Sequence, residues 1–222
     1  VVYRDAEGEL LYPESIDELQ RRVRALTSAG SPALALPHHI GYHRGARGLN
    51  WESFDQEASP IVEIYSMHGA AENSEGPIPF LHSMGPADWH STAQYGLAAG
   101  HIFGFAANSV HHSAHPGSFG HGMTGVWAQE LTREALWDAI RARRTFALTG
   151  DRMRLDYAVG ETVMGGIRTP GPLPGLSAHV DAGAPIDDID VVHTNRLLRR
   201  VSPAAGAAPG GAETLRTRIT LE

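Results

Sequence analysis

Residues 108–122, NSVHHSAHPGSFGHG, hold four histidines and very little apolar bulk. Imidazoles gathered in this way either hydrogen-bond to backbone and water in a polar loop or form one wall of a metal site. The chain has no cysteine, so a metal would have to be held by His, Asp and Glu. Such ligands suit Zn, Mn or Fe, and a catalytic site leaves one position open to water, whose pKa the ion lowers.

Five candidate ligands follow, or lie within, short apolar runs. They are His38 and His39 after residues 33–36, Glu63 within residues 60–66, and His111 and His112, from the segment above, after residues 101–107. Parallel strands present their carboxyl ends at one side of a sheet, so these side chains are expected to converge there. Burying an ionised carboxylate without a partner is costly, so Glu63 is expected either to meet a cation or to point out of the sheet.

Three further residues have a candidate role near these ligands. Arg44 and Arg47, in the glycine-rich loop after His39, are predicted to grip an anionic substrate, although a solvated position fits them equally. His115, like His111, is predicted to serve as a ligand or a general acid. Six histidines fit surface or capping positions and receive no role, namely His43, His68, His82, His90, His179 and His193.

The elements that must position these residues alternate between helix and strand up to about residue 150. Ser15 and Glu18 have capping-box spacing before a helix that runs to Gly30, and Thr132 is predicted to cap a helix that extends through Arg144. The runs at 33–36, 60–66 and 101–107 are predicted to be buried strands. From Met153 the pattern changes to the two-residue period of half-exposed strands. We therefore predict an α/β domain at 1–150 and an antiparallel β region at 151–222.

Composition excludes several classes of function. The 222 residues carry a net charge of -7 and no isolated basic run, so nucleic acid is not an expected partner. No apolar stretch approaches the length of a membrane span, and no membrane association is predicted. The sequence does not decide between a cytoplasmic and a periplasmic location, because the missing cysteines leave the redox compartment open.

Three segments together resemble the later half of an uncharacterised bacterial family in the PHP (polymerase and histidinol phosphatase) superfamily. They are VEIYSMHGAAE at 62–72, GFAANSVHHSAHPGSFGHG at 104–122 and GVWAQELTREALWDAIRARRTFALTGDR at 125–152. The resemblance implies the later half of a distorted (β/α)7 barrel and phosphoester hydrolysis by metal-activated water. It also implies that His38 or its neighbour His39, together with Glu63 and His112, binds metal, and we predict all four residues as metal ligands. The β region after residue 150 is similar to an extension that such proteins carry.

The chain departs from the superfamily pattern at two points. The His-x-His motif of the first strand is absent, which predicts that an N-terminal portion of the same protein is missing here; two or three metal ions are expected if that motif lies upstream. Val110 stands where the Ser-Asp-x-His motif has aspartate, and valine cannot bind a metal. The predicted function is a metal-dependent phosphoesterase acting on a small phosphorylated substrate. The alternative is a degenerate, non-catalytic binding or structural domain.

Overall fold

The computed structural model describes residues 3–4, 10–76, 78, 86–115, 117–202 and 215–221. Its α-helices are α1 (Ile16–Ser28), α2 (Ala93–Ala98) and α3 (Arg133–Arg141). Its strands are β1 (Tyr3–Arg4), β2 (Leu10–Leu11), β3 (Ile61–Ser66), β4 (Gly69–Ala70), β5 (Gly104–Ala107), β6 (Met123–Val126), β7 (Thr145–Leu148), β8 (Met153–Val159), β9 (Thr162–Val163), β10 (Leu176–Ala182), β11 (Ile189–His193), β12 (Arg196–Val201) and β13 (Leu215–Leu221).

A serine or threonine hydroxyl caps the N-terminus of each of the three described helices. Ser15 accepts a hydrogen bond from the Glu18 amide at the start of α1, as the capping-box spacing predicts. Thr132 caps α3 in the same way, which confirms the predicted cap, although α3 ends at Arg141 and not at Arg144 as predicted. The sequence Ser-Thr-Ala-Gln at 91–94 also has capping-box spacing and predicts a helix that begins at Ser91; this helix is α2, but Thr92 rather than Ser91 is its cap. Local capping signals therefore located the helix starts to within one residue.

A three-stranded sheet in the order β4-β3-β5 positions most of the candidate ligands. Strands β3 and β5 are parallel, with Val62 opposite Phe105 and Glu63 opposite Ala106, while β4 pairs with β3 in the antiparallel sense. The core beneath it is an apolar cluster of buried side chains, which comprises Ile40, Trp51, Val62, Ala71, Ala93 and Phe103. The stacked Trp51 and Phe103 rings, with centroids 5.0 Å apart, account for much of its volume.

The antiparallel pair β6-β7 lies next to β5. The hydroxyl of Thr124 accepts a hydrogen bond from the Ala107 amide at 3.0 Å and donates one to the Ala107 carbonyl at 2.7 Å. At the end of β5, the Thr124 side chain thus hydrogen-bonds to the backbone groups that a neighbouring strand would otherwise pair with. These two bonds fix the start of the loop that carries the clustered histidines.

Antiparallel strands dominate the chain after residue 150. One sheet has the order β13-β10-β8-β9, and β11 and β12 form a separate hairpin. The Trp127 indole donates a hydrogen bond to the Leu155 carbonyl at 2.6 Å, and Arg143 Nε donates one to the Gly165 carbonyl at 3.1 Å. These contacts join the larger sheet to the α3 region.

The prediction of half a (β/α)7 barrel is wrong. Across the described residues the strands form five small sheets, in which β3 and β5 are the parallel pair, and no barrel closes. Residues 33–36 were predicted to be a strand, but the structure has no strand there; Ala35 N donates to the Ala58 carbonyl at 2.8 Å, and the amide and carbonyl of Ala33 both hydrogen-bond to the Thr27 hydroxyl. A barrel requires each strand to pair on both sides, and here β6 and β7 pair antiparallel with each other instead.

Among the described helices, none combines the length and the apolar composition needed to cross a lipid bilayer.

Candidate metal centre

Three of the predicted ligands lie together at β3. His38 and His39 follow a segment that is held directly against this strand, because the Glu63 amide donates a hydrogen bond to the Pro37 carbonyl at 3.0 Å. One ligand atom from each of His38, His39 and Glu63 lies within 4.8 Å of the others. Donor atoms this close can reach a shared ion through bonds of about 2.0–2.2 Å after small side-chain rotations. We refer to these three residues as the 38/39/63 cluster.

Glu63 is the buried member of the cluster, with only 4% of its surface exposed. Its neighbour Val62 is fully buried, so the carboxyl group lies in an apolar strand. Burial raises the pKa of Glu63 to about 7, and a hydrogen bond from Asn108 Nδ2 to Oε2 at 2.7 Å opposes this shift. A nearby cation would stabilise the ionised form and offset the cost of its desolvation.

The two histidines are adjacent in space as well as in sequence. The ring centroids of His38 and His39 are 4.1 Å apart, and their planes are inclined by 38°. His39 has a φ of 59°, in the left-handed region, which turns the chain sharply between the two rings. Partial desolvation lowers the pKa of His38 and therefore favours the neutral imidazole, which is the form that binds metals.

His68 is a buried neighbour of the cluster to which sequence analysis gave no role. Its exposed surface is 7%, and its ring centroid lies 4.9 Å from that of His39 and 5.7 Å from that of His112. It follows β3 by two residues, and its amide hydrogen-bonds to Ser66 Oγ. The signal that could have found it was its position just after the strand that carries Glu63.

The remaining predicted ligand, His112, is not a member of the 38/39/63 cluster. It is exposed on the loop after β5, and its described ring contact is with His68. The predicted catalytic residues His111 and His115 also lie on this loop, with ring centroids 6.0 Å apart. The His111 Nδ1 atom lies 3.2 Å from the Ser113 amide, which identifies Nδ1 as an acceptor.

The predicted substrate-binding arginines are both exposed in the loop after His39. Arg44 Nε lies 3.8 Å from Asp88 Oδ2, at the limit of an ion pair. Arg47 lies close enough to the buried Tyr42 to oppose electrostatically the rise that burial causes in the pKa of that phenol. Both guanidinium groups therefore have room to contact a solute from solvent.

The other histidines without an assigned role lie outside the cluster. His43, His90, His179 and His193 are exposed. His82 falls outside the described residues.

Comparison with known proteins finds similar sequences, but none of them has a described activity. Residues 93–165 match a family described as a protein of unknown function (DUF3604). This match includes Asn108 and the histidine loop, and it begins after the 38/39/63 cluster.

Three curated relatives are uncharacterised chlamydial proteins. Those of Chlamydia pneumoniae, Chlamydia trachomatis and Chlamydia muridarum are 27%, 26% and 24% identical to the chain over 173 residues. Each alignment covers 70% of this chain and 28% of the relative, so the chain corresponds to about a quarter of those proteins. No solved structure shows significant similarity to it.

Proposed function

We propose that the 38/39/63 cluster binds a divalent cation and that the protein is a metal-dependent hydrolase of phosphoesters. The supporting observation is the proximity of two imidazoles to a buried carboxyl group whose pKa is raised to about 7. The hydrogen bond from Asn108 does not offset this burial, and positive charge brought close to the carboxyl group would stabilise its ionised form.

The donor set fits the metals that the ligand types predict. Two nitrogens and one carboxylate oxygen suit Zn, Mn or Fe, whereas Mg and Ca favour sites made entirely of oxygen. Asn108 orients the Glu63 carboxylate in the manner of the hydrogen-bonding partners that commonly surround metal ligands. When bound, such a cation polarises a phosphoryl oxygen and lowers the pKa of water at its open position.

Polar residues in the loops after His39 and β5 have distinct roles in this proposal. Because Nδ1 of His111 accepts from the Ser113 amide, the neutral ring carries its proton on Nε2, from which it can be donated to a leaving oxygen. Arg44 and Arg47 bind phosphate oxygens, for which the planar guanidinium group is well suited. The phosphoester substrate class rests on the resemblance to the PHP superfamily, and the barrel of that superfamily is not part of the proposal.

Val110 favours one alternative, a non-catalytic domain that keeps the cluster without turnover. Its side chain offers no ligand atom, and its φ of 47° is an unusual conformation for a β-branched residue. It lies between Asn108 and His112, where a metal-binding aspartate is expected from the resemblance. Binding of a cation without hydrolysis would support this alternative.

The test is metal analysis of the complete protein followed by assays with p-nitrophenyl phosphate and bis(p-nitrophenyl) phosphate in the presence of Zn²⁺ or Mn²⁺. We expect Glu63→Gln to weaken cation binding by more than about 100-fold, because loss of a ligand exceeds the effect of losing its supporting hydrogen bond. Glu52→Gln and His43→Ala, at exposed positions outside the cluster, are the matched controls. Absence of a bound cation, or equal turnover in the Glu63 variant and wild type, would overturn the proposal.

A further inference from the structure

A cavity of about 600 Å³ lies between α2 and the β11-β12 hairpin. Side chains from four separate parts of the chain line it, including Leu97 on α2, Phe105 on β5, Val192 on β11 and Glu72 after β4. Its volume falls within the range of pockets that hold small organic ligands.

The hairpin wall of the cavity is fixed in place. Thr194 and Asn195, at the turn, have φ values of 51° and 57°, the left-handed pair typical of a tight two-residue hairpin turn. The Asn195 carboxamide donates a hydrogen bond to the Gln94 carbonyl at 2.7 Å and thereby attaches the turn to α2. The two walls consequently hold the opening between them at a defined width.

Apolar side chains that remain accessible to solvent line this opening. Leu97 is 40% exposed and Val192 is 51% exposed, although both face a cavity that also includes Ala93 and the partly buried Phe105. Covering these surfaces with an apolar ligand would be favourable, at about 25 cal/mol for each Å² removed from water.

The charge in the cavity is negative. Glu72 is the single ionisable residue among the described residues that line it. The Gln94 carboxamide donates a hydrogen bond to Glu72 Oε1 at 3.3 Å, and the Gln94 amide donates one to the Glu72 carbonyl at 2.9 Å. These contacts hold the carboxylate beside an apolar wall that includes an aromatic ring, a combination that attracts organic cations.

The cavity is separate from the 38/39/63 cluster. Phe105 is paired with Val62, and the next pair along the two strands is Ala106 with Glu63. Consecutive residues of a strand point to opposite faces, so Phe105 and Glu63 lie on opposite faces of the sheet. A ligand in the cavity and a cation at the cluster can therefore be bound at the same time.

We propose that this cavity binds an organic ammonium ion with an apolar body. The ammonium group pairs with Glu72 and lies near the Phe105 ring, while the apolar body covers Leu97 and Val192. The four residues supply charge complementarity and apolar area in one preformed opening. The proposal is independent of the cluster's function.

The test uses n-octylammonium chloride as the probe, titrated calorimetrically into the complete protein below the concentration at which the probe forms micelles. Octyl sulfate, with the same apolar chain and the opposite charge, is the control ligand. We expect saturable binding of the ammonium probe and binding of the sulfate that is weaker by at least about fivefold. Equal binding of both probes would overturn the proposal, because the cavity would then be an unselective apolar surface.

Substitutions inside and outside the cavity test whether the ammonium probe binds there. We expect Glu72→Gln to weaken binding of the ammonium probe about fivefold, the effect of losing one partly exposed ion pair, and Leu97→Ser to weaken it by removing apolar contact without adding charge. Glu75→Gln and Leu131→Ala, at exposed positions outside the cavity, should bind as wild type does. If Glu72→Gln and Glu75→Gln have the same affinity as wild type, the proposed pairing is wrong. Circular dichroism of each variant establishes that it is folded.

Discussion

Asn108 Nδ2 lies 2.7 Å from Glu63 Oε2, so a residue at the end of β5 holds the buried carboxyl group of β3. The two residues are 45 positions apart in the sequence and meet because their strands are parallel neighbours. The bond lowers the pKa of Glu63 against the larger effect of burial. It also sets the orientation in which the carboxylate faces the two histidines.

Removing this bond is expected to weaken the proposed cation site without removing a ligand. Asn108→Leu should reduce the affinity for Zn²⁺ or Mn²⁺ by about 10–100-fold, the usual cost of losing a partner of a metal-binding residue. Isothermal titration calorimetry measures this loss. Asn73→Ala, whose amide lies in a turn outside the cluster, is the control and should bind as wild type does. An unchanged affinity in Asn108→Leu would mean that Glu63 needs no support from β5.

The pKa of Glu63 predicts how the stability of the metal-free protein varies with pH. Burial raises this pKa from its ordinary 4.5 to about 7, so between these values the folded protein binds more protons than the unfolded chain. The contribution of Glu63 to the free energy of unfolding therefore falls as pH rises through that window, by up to about 3 kcal/mol, and levels off above it, whereas the lowered pKa of His38 makes a contribution of the opposite sign. Urea denaturation at a series of pH values, with a chelator present, measures the slope.

Comparison of wild type with Glu63→Gln shows how much of the pH dependence of the free energy of unfolding comes from the Glu63 carboxyl group. The amide does not ionise, so the variant should lose the decline between pH 4.5 and 7 and be more stable than wild type at pH 8 without metal. Adding Zn²⁺ should reverse the order, because the cation stabilises only a protein that binds it. Parallel pH profiles for the two proteins would contradict the raised pKa.

The backbone at His39 predicts which substitutions the cluster tolerates. Asparagine adopts positive φ readily, whereas a β-branched residue there is strained. His39→Val should accordingly be less stable than His39→Asn by about 1–2 kcal/mol, and both should lose cation affinity. Denaturation in the presence of a chelator separates the backbone effect from metal binding. Equal stabilities would show that this turn relaxes when its side chain changes.

Two glycines with nearly identical φ values offer a matched test of packing. Gly30 and Gly165 have φ values of 80° and 81°, so a positive φ disfavours alanine at both. A Cβ at Gly165 would lie 2.2 Å from the Ala142 carbonyl oxygen, whereas one at Gly30 meets nothing within 4 Å. Gly165→Ala should therefore be less stable than Gly30→Ala by a further 1–3 kcal/mol, roughly the cost of overpacking. Thermal unfolding measures the difference, and equal losses would contradict the close contact.

Local signals in the sequence predicted local structure. Ser15 and Thr132 identified the starts of α1 and α3, because a cap is a relation between residues three positions apart. The apolar run around Glu63 and the run ending at Ala107 were correctly identified as strands. The grouping of His38, His39 and Glu63 followed from placing candidate ligands at one strand edge, and the structure has these residues close together.

Apart from the strands β3 and β5, the pairing of strands could not be predicted from the sequence. The run at 33–36 is apolar enough for a strand but does not form one, and β6 pairs with β7 although the helix α3 separates them in the sequence. Such pairings depend on contacts between distant segments and not on residue pattern. The position of His68 just after β3 is visible in the sequence, but its burial beside His39 and His112 depends on how three segments fold together.

Three of the hydrogen bonds described above connect residues before position 150 with residues after it. Trp127 is joined to Leu155, Arg143 to Gly165, and Gln94 to Asn195. Dividing the polypeptide at position 150 would deprive both fragments of these partners. The fragments are thus better suited to a split-protein design, in which mixing them restores the native assembly, than to separate expression as self-sufficient units.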